Sequence, residues 1–446
     1  LLVACAARPP AACAQEVAPE DDAQAPRLRL EDALRLARGR QPSVRRARAE
    51  LEFASARAAE ARASLLPQLS GSASYQRTTG NFVPRPGQIP RALPGAMGAG
   101  NNTQRDPYAL YDFYSLGVTL SQLLYDFGAS SGALAVSKEI LRAEQRHQDG
   151  VALEIGADVS AAFLQALALQ QLVVVARENL ANSERHLQQT QSFVQAGTRP
   201  EIDLFQLRTD VANARVRLIE AENARAIGKA ALDRAMGRED PGPYTLAEES
   251  PDALPEESQE LMQLYESALK ARPDLAVLEH RARAQRLAVD ASRSGYGPAL
   301  SASTSLTAGG LKPTDLVTNW NVGLFLAWPI LQGGLTRARV AEARAMHEAA
   351  LAEQDAARLA VHFELAQARL GIEAAKAARI AAHEAASNAE ERFKLAEKRY
   401  AAGVGNGIEL ADAQVALTSA HAQEVHAAYV LGLTRVSLRK ALGERE

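Results

Sequence analysis

The feature that most constrains this chain is that it is written twice. Residues 195–206 read QAGTRPEIDLFQ and residues 401–412 read AAGVGNGIELAD, and aligning Ala196 on Ala402 also brings Gly237 of RAMG onto Gly443 of KALG and Tyr125 of LLYDFG onto Leu331 of PILQGG. Residues 125–237 and 331–443 therefore align without a gap, and the chain must build one structural unit two times over. Upstream, Pro67 of LLPQLSGSAS matches Pro298 of YGPALSASTS at a larger offset, because the first half carries an insertion over 81–107. Its Pro84, Pro86, Pro90 and Pro94 and scattered glycines predict an exposed loop, shortened in the second half to GGLKPTDLVT.

Within each half the order predicted is a helix (about 30–64; about 259–294), a strand pair, a very long helix (about 130–196; about 335–402), a corner, and a returning helix (about 201–236; about 407–442). The domain plan is a signal-peptide remnant over 1–14, an N-terminal extension over 15–29, repeat 1 over 30–237, a Pro/acidic linker over 238–258, repeat 2 over 259–443, and a tail over 444–446. From Ala152 a 3-4 spacing runs through Ile155, Val159, Ala162, Ala166, Leu169, Val173, Ala176, Leu180, Ser183, Leu187, Thr190 and Val194, which is coiled-coil periodicity. The second copy repeats it through Val361, Leu365, Ala368, Ile372, Ala375, Ala382, Ala386, Ala389, Phe393, Ala396 and Tyr400, broken at Arg358 and Arg379. A helix of about 67 residues is roughly 100 Å long at the standard rise, so it has no globular core of its own and must pack along other rods.

The strand signal is alternation over about 68–80, 112–125, 298–308 and 319–329. Leu69, Gly71, Ala73 and Tyr75 oppose Ser70, Ser72 and Ser74; Leu116, Val118 and Leu120 oppose Ser115, Thr119 and Ser121. In the second half Leu300, Ala302 and Leu306 oppose Ser301, Ser303 and Ser305, and Trp320, Val322, Leu324, Leu326 and Trp328 oppose Asn321 and Gly323. One face apolar with aromatic ends (Tyr75, Trp320, Trp328) and the other small and hydroxylated is the pattern of a transmembrane β-barrel with an interfacial girdle and a wet interior. An ordinary half-buried hairpin of a soluble domain is the competing reading. Four strands cannot close a barrel, since the smallest have eight, so several subunits must share one. No helical stretch reaches the eighteen or so uninterrupted apolar residues of a membrane-spanning helix; LVVVA at 172–176 runs straight into Arg177 and Glu178.

The opening residues LLVACAARPPAACAQE predict export, either by cleavage after Ala14 or, if LVAC is a lipobox, with Cys5 lipidated. Cys5 and Cys13 are the only cysteines, so cleavage after Ala14 leaves neither disulfides nor a Cys-ligated metal. Lys+Arg 50 against Asp+Glu 53 gives no basic excess for a nucleic-acid partner. The Asp-Phe-Gly of YDFG lacks a catalytic loop, Gly403, Gly405 and Gly407 follow a helix and not a strand, and His347-Glu348 and His383-Glu384 lack the second histidine of a zinc protease. No grouping of nucleophile, base and orienter is evident, and no cofactor is expected.

With its doubled order, its glycine-bearing junctions YDFGASSG and LQGGLTRA, its opening LRLEDALRLARGRQPSV and its Ala-Gly corners, the chain resembles the TolC-type outer membrane efflux protein family over everything after residue 27. The resemblance implies a mainly α chain with a transmembrane β part. Three copies are expected to build one twelve-stranded barrel, continued by an α-helical coiled-coil barrel through the periplasm of a Gram-negative bacterium. The implied function is a passive exit duct for small molecules or secreted polypeptides, working with a periplasmic adaptor and an inner-membrane pump of the RND or ABC type. A soluble periplasmic scaffold is the alternative.

Under this resemblance each corner is a periplasmic tip, and Ala196, Gly197, Thr198, Ala402 and Gly403 form the adaptor-docking rim. Gly197 and Gly403 suit the left-handed residue that ends a long helix, Thr198 and Asn406 suit N-caps, and Pro200 suits the first turn of the returning helix. Glu409 and Asp412 fall at the acidic constriction, with Asp203 in the closing network. Three copies gather about six carboxylates at one level, where like charges about 8 Å apart repel by roughly 2 kcal/mol per pair. First-turn carboxylates also simply suit a helix N-terminus. Arg199 and Tyr400 are the candidate closing partners, although in the best-known arrangement the gating arginine follows the second corner glycine, where this chain has Gly405.

Overall fold

A computed structural model describes residues 26–79, 110–197, 199–239, 242–248 and 253–444; the leader with Cys5 and Ala14, the loop 81–107 and Thr198 lie outside the described residues. Strands are β1 (Arg27–Leu28), β2 (Gln68–Thr79), β3 (Leu110–Tyr125), β4 (Thr245–Leu246), β5 (Ala299–Gly310) and β6 (Val317–Ala327). Helices are α1 (Leu30–Arg40), α2 (Pro42–Ala63), α3 (Ala129–Gln195), α4 (Ile202–Met236), α5 (Leu261–Ala271), α6 (Pro273–Arg293), α7 (Leu335–Ala401) and α8 (Gly407–Leu442). The chain divides into two compact units, one from the described residues of Leu1–Val44, Ala152–Glu266 and Glu364–Glu446, the other from Arg45–Val151 and Ser267–Phe363.

The first helix of each half is broken where one continuous helix was expected. Gln41 (ψ 126°) and Arg272 (ψ 120°) are extended, and Pro42 and Pro273 start new helices. A proline ring excludes the α conformation from the residue before it, yet suits the first helical turn, where its missing N–H is no loss. The freed Gln41 is put to use: its Nε2 donates to the Ala235 carbonyl at 2.9 Å, satisfying the end of α4. The Pro/acidic linker also carries structure. β4 pairs in parallel with β1, and Glu257, its side chain 4 % exposed, binds Lys376 of α7 at 2.5 Å and Arg435 of α8 at 2.8 Å.

In the second unit the sheet order is β2-β3-β5-β6, all antiparallel. Register sets Leu69 opposite Leu120, Val118 opposite Leu306, and Leu306 opposite Trp320, so the apolar positions of the four strands share one face. These side chains are exposed in the single chain, Trp320 at 76 % and Leu324 at 69 %. The opposite face holds Ser70, Ser303, Ser305 and Asn321, with Ser305 bonded to Asn321 at 3.1 Å. Phe325 departs from the expected small, hydroxylated pattern: it faces Ser301 across the pair, and its ring crosses Gly323, where a Cβ would come within 3.0 Å of it. Trp328 lies one residue beyond β6, not within the strand as expected, and its indole donates to the Tyr296 carbonyl at 3.2 Å.

The two strand-to-helix junctions solve one problem differently. Phe127 (φ 55°) takes the left-handed conformation that Gly333 (φ 57°) takes in the second copy, and Asp126 accepts from Ser130 N at 2.7 Å to start α3. Below them Glu139 of α3, 8 % exposed, holds His280 Nδ1 of α6 at 2.8 Å and pairs with Arg142.

α3 and α7 are each 67 residues long. On α7 the buried positions Val361, Leu365, Ala368, Ile372, Ala375, Ala386, Phe393, Ala396 and Tyr400 follow the expected seam. On α3 the lower seam differs. Asn179 and His186 are buried, while the neighbouring Leu180 and Leu187 are only half-buried. The reason is that α3 faces two helices here: Asn179 turns to Gln414 of α8, and His186 meets the Phe393 ring of α7 at 6.0 Å. A single 3-4 stripe describes contact with one partner; two partners widen it by a residue.

Candidate functional site at the helical tips

Both long helices end on left-handed glycines, Gly197 (φ 74°) and Gly403 (φ 76°), a conformation that costs a side-chain-bearing residue about 1–2 kcal/mol. At the second corner Gly403 N bonds Tyr400 O (3.1 Å) and Val404 N bonds Arg399 O (3.1 Å), the paired bonds of a Schellman ending. Asn406 then caps α8, its Oδ1 accepting from Ile408 N at 3.3 Å. The first corner is built otherwise than expected. Pro200 stands before α4, whose N-cap is Glu201 without a side-chain bond, and the Pro200 carbonyl takes Asp203 N at 3.2 Å in a tight initiating turn. Ala196, Gly197, Ala402 and Gly403 are all exposed.

Arg199 and Tyr400 meet. The guanidinium of Arg199 lies 4.8 Å from the centre of the Tyr400 ring, donates to Gly405 O at 3.0 Å, and sits 3.9 Å from Asp203. One arginine thus ties the first corner to the second by a main-chain bond and a cation–π contact. Tyr400 is 3 % exposed; its hydroxyl lies 2.7 Å from Thr190 Oγ1, and its ring meets Phe193 edge-on at 6.2 Å. Phe393, Ala396, Leu410, Ala413 and Leu417 complete the apolar cluster beneath it.

The three candidate acids separate. Glu409 turns to Arg399, 3.5 Å away, while Asp412 and Asp203 line a cleft of about 540 Å³ walled by α3, α4 and α8, which Tyr400 also lines. Positions 409 and 412 share one face of α8 a turn apart: Glu409, in the first turn, lies beside Arg399 of α7, and Asp412, one turn further along, lines the cleft. The buried Asn179, Ser183, His186 and Gln414 also line the cleft. Gln414 Nε2 and the Thr418 hydroxyl both donate to Asn179 Oδ1, at 2.9 and 3.1 Å. Burial pushes the His186 imidazole below its ordinary range; Glu397 raises it and Arg185 lowers it, and burial prevails.

Arg399, Asn179, His186 and Gln414 were not singled out from the sequence. The available signal was the seven-residue spacing of Asn179 and His186, each one place before a seam leucine. Away from the tips, Glu50, Glu144 and His147 bring ligand atoms within 4.8 Å of one another, the one such group among the described residues. Glu50 also takes Arg46 at 2.8 Å, and Glu144 faces Arg281 at 3.9 Å.

Comparison with known proteins places this architecture. The outer membrane efflux protein family matches residues 33–238 and 264–444. Among relatives, the pyoverdine export outer membrane protein OpmQ of Pseudomonas aeruginosa is 26 % identical over 399 residues, covering 89 % of this chain and 81 % of that protein. Protein CyaE of Bordetella pertussis is 26 % identical over 430 residues, covering 94 % and 84 %. Among solved structures, the outer membrane protein VceC of Vibrio cholerae superposes with a TM-score of 0.76 at 18 % identity, covering 93 % of this chain and 96 % of that one, a likeness of fold. With two repeats matched over most of its length and the same fold throughout, the chain belongs to the outer membrane efflux protein family: it is an outer membrane component of export, not a soluble periplasmic scaffold.

Proposed function

We propose that three copies of this chain close a twelve-stranded barrel in the outer membrane and continue it as a helical duct through the periplasm, gated at the tips. β2 and β6 are the outer strands of the sheet, each with one ladder edge to offer a neighbouring copy. The apolar face, with Tyr75, Trp320 and Trp328 as its girdle, meets lipid, and the serine-bearing face meets water.

The observation that carries the gate is Arg199, whose bonds to Gly405 and Tyr400 clamp one corner to the other. Opening separates these corners; closing restores the clamp, with Asp203, Glu409 and Asp412 setting the charge at the narrow end. A periplasmic adaptor docks on the rim of Ala196, Gly197, Thr198, Ala402 and Gly403, of which Ala196, Gly197, Ala402 and Gly403 are exposed, and carries the force from an inner-membrane pump of the RND or ABC type. The duct itself is passive, needs no cofactor and performs no chemistry. Its cargo class is small molecules, including toxic compounds, or secreted polypeptides; pyoverdine export, named for one relative, is the small-molecule precedent.

The test is single-channel recording of the purified protein in planar bilayers, with unheated gel migration to report the trimer. Arg199→Ala should raise the open fraction at least about tenfold. A protein that runs as a monomer, or conducts identically with and without Arg199, overturns the proposal.

A further inference from the structure

The serine-bearing face of the sheet carries two apolar exceptions in one row. Register places Leu123 of β3 opposite Ser301 of β5, and Ser301 opposite Phe325 of β6, so all three side chains stand on one face. Further along that face the pairs are small or polar: Ser121 and Gly323 flank Ser303, and Asn321 faces Ser305. Phe113, on this face at the far end of β3, is 7 % exposed, whereas Phe325 is 58 % exposed. Leu123 and Phe325 each stand two residues before the end of their strand, on the side that leads into α3 and α7. At the standard strand spacing they are roughly 10 Å apart, with only the Ser301 hydroxymethyl between them. The Phe325 ring lies back over Gly323, where an added Cβ would come within 3.0 Å of it. Covering a glycine with an aromatic ring stabilises a strand. That accounts for one side of the ring; it leaves more than half of Phe325 in water and gives no reason for Leu123.

We propose that Leu123 and Phe325 form an apolar collar on the water side of the duct, where strands give way to helices, and that this collar is a specificity-determining contact for cargo bearing an aromatic group. The inference rests on the duct reading, since only a closed barrel of three copies sets three such Leu–Phe pairs around one column of water. Eight strands enclose a space that side chains just fill, and diameter grows with strand number, so twelve leave a lumen narrow enough for a passing solute to meet the collar. The exposed ring face attracts aromatic surfaces and organic cations alike. The surrounding hydroxyls prefer water and hold no apolar solute. The collar therefore gives aromatic cargo a foothold that the rest of this face does not.

The test is single-channel recording of the full-length protein in planar bilayers with benzyltriethylammonium as the probe and tetraethylammonium, of equal charge but without the ring, as its control. The expected result is a concentration-dependent interruption of current by the aromatic cation at concentrations where the control has little effect. Phe325→Ser should weaken that block about tenfold and Leu123→Ser by a smaller factor, with block by the control unchanged. Serine is the residue that most of this face already carries, so both variants should assemble; Leu123→Ser keeps the test decisive if Phe325→Ser does not. Block that survives in both serine variants but is lost in Asp412→Ala places the contact at the tips and overturns the inference. Equal relief for both cations does the same, since it reduces the collar to a matter of width. A channel that conducts and ignores the aromatic cation sinks this inference only, and a preparation that never conducts sinks the duct.

Discussion

The hydroxyls of Thr190 and Tyr400 lie 2.7 Å apart, and both residues are buried, 0 % and 3 % exposed. This bond joins α3 to the last turn of α7 directly behind the Arg199 clamp, so it couples the ends of the two long helices. Thr190→Val or Tyr400→Phe alone strands one buried hydroxyl, costing about 1–3 kcal/mol, whereas the double variant removes both partners and should be closer to neutral. A double-mutant cycle on the channel's open fraction checks this; purely additive effects would mean the bond does not act as a unit.

Arg199 makes two contacts that a lysine cannot reproduce together, the directed bond to Gly405 O and the cation–π contact with the Tyr400 ring. Arg199→Lys should therefore behave more like Arg199→Ala than like the wild type in tip opening. Recordings in which lysine restores the closed state would reduce the clamp to its charge.

Asp412 and Glu409 should differ in effect, because Glu409 is already paired with Arg399 and Asp412 is exposed in the cleft. Cation preference should fall further in Asp412→Ala than in Glu409→Ala. Reversal potentials in a salt gradient measure the difference, and equal shifts would contradict it.

The sheet makes a sided prediction. Leu324→Arg, on the face shared with Trp320 and Val322, should cost about 2–4 kcal/mol near the bilayer midplane and suppress outer-membrane trimers. Ser303→Arg, on the opposite face, should assemble and alter conductance only. Trimer yield on unheated gels decides it, and the reverse ranking would invert the sheet.

Two groups give the tip unit a two-stage acid response. His186, held by burial below its ordinary 6.5, binds fewer protons folded than unfolded, so its contribution is complete above about pH 6.5 and falls as pH drops below that value. Burial pushes Glu257 up, but Lys376, the Leu254 N–H and Arg435 outweigh it and hold the carboxyl below 4.5; its contribution is lost only as pH falls below that point. Denaturation midpoints should decline first as pH falls below about 6.5, and His186→Gln should flatten that step while leaving the later one. A single acid transition unaffected by His186→Gln would argue against the buried imidazole as its source.

Much of this was legible in one dimension. The 206-residue offset between Ala196 and Ala402 announced two hairpins, and the alternation around Ser303 and Leu324 announced a two-faced sheet, because repeats and period-2 patterns are local. The helix breaks at Pro42 and Pro273 were written in the sequence too, since a proline excludes the helical conformation from the residue before it, but each pair was read as one continuous helix. The burial of Asn179, His186 and Gln414 was not legible, since Asn179 and His186 fall one place off the expected seam and Gln414 lies on a helix for which no seam was read.

By itself the sequence determined the repeat, the long rods, the glycine corners and the polarity of each strand face, all set by nearest neighbours and by which side chains tolerate water. Only the tertiary structure decided which residues of the two corners meet: Arg199 with Gly405 and Tyr400, Thr190 with Tyr400, and His186 and Gln414 in one cleft. Those pairings join residues some two hundred positions apart, and their geometry depends on how one helix rotates against two others, which no local pattern encodes.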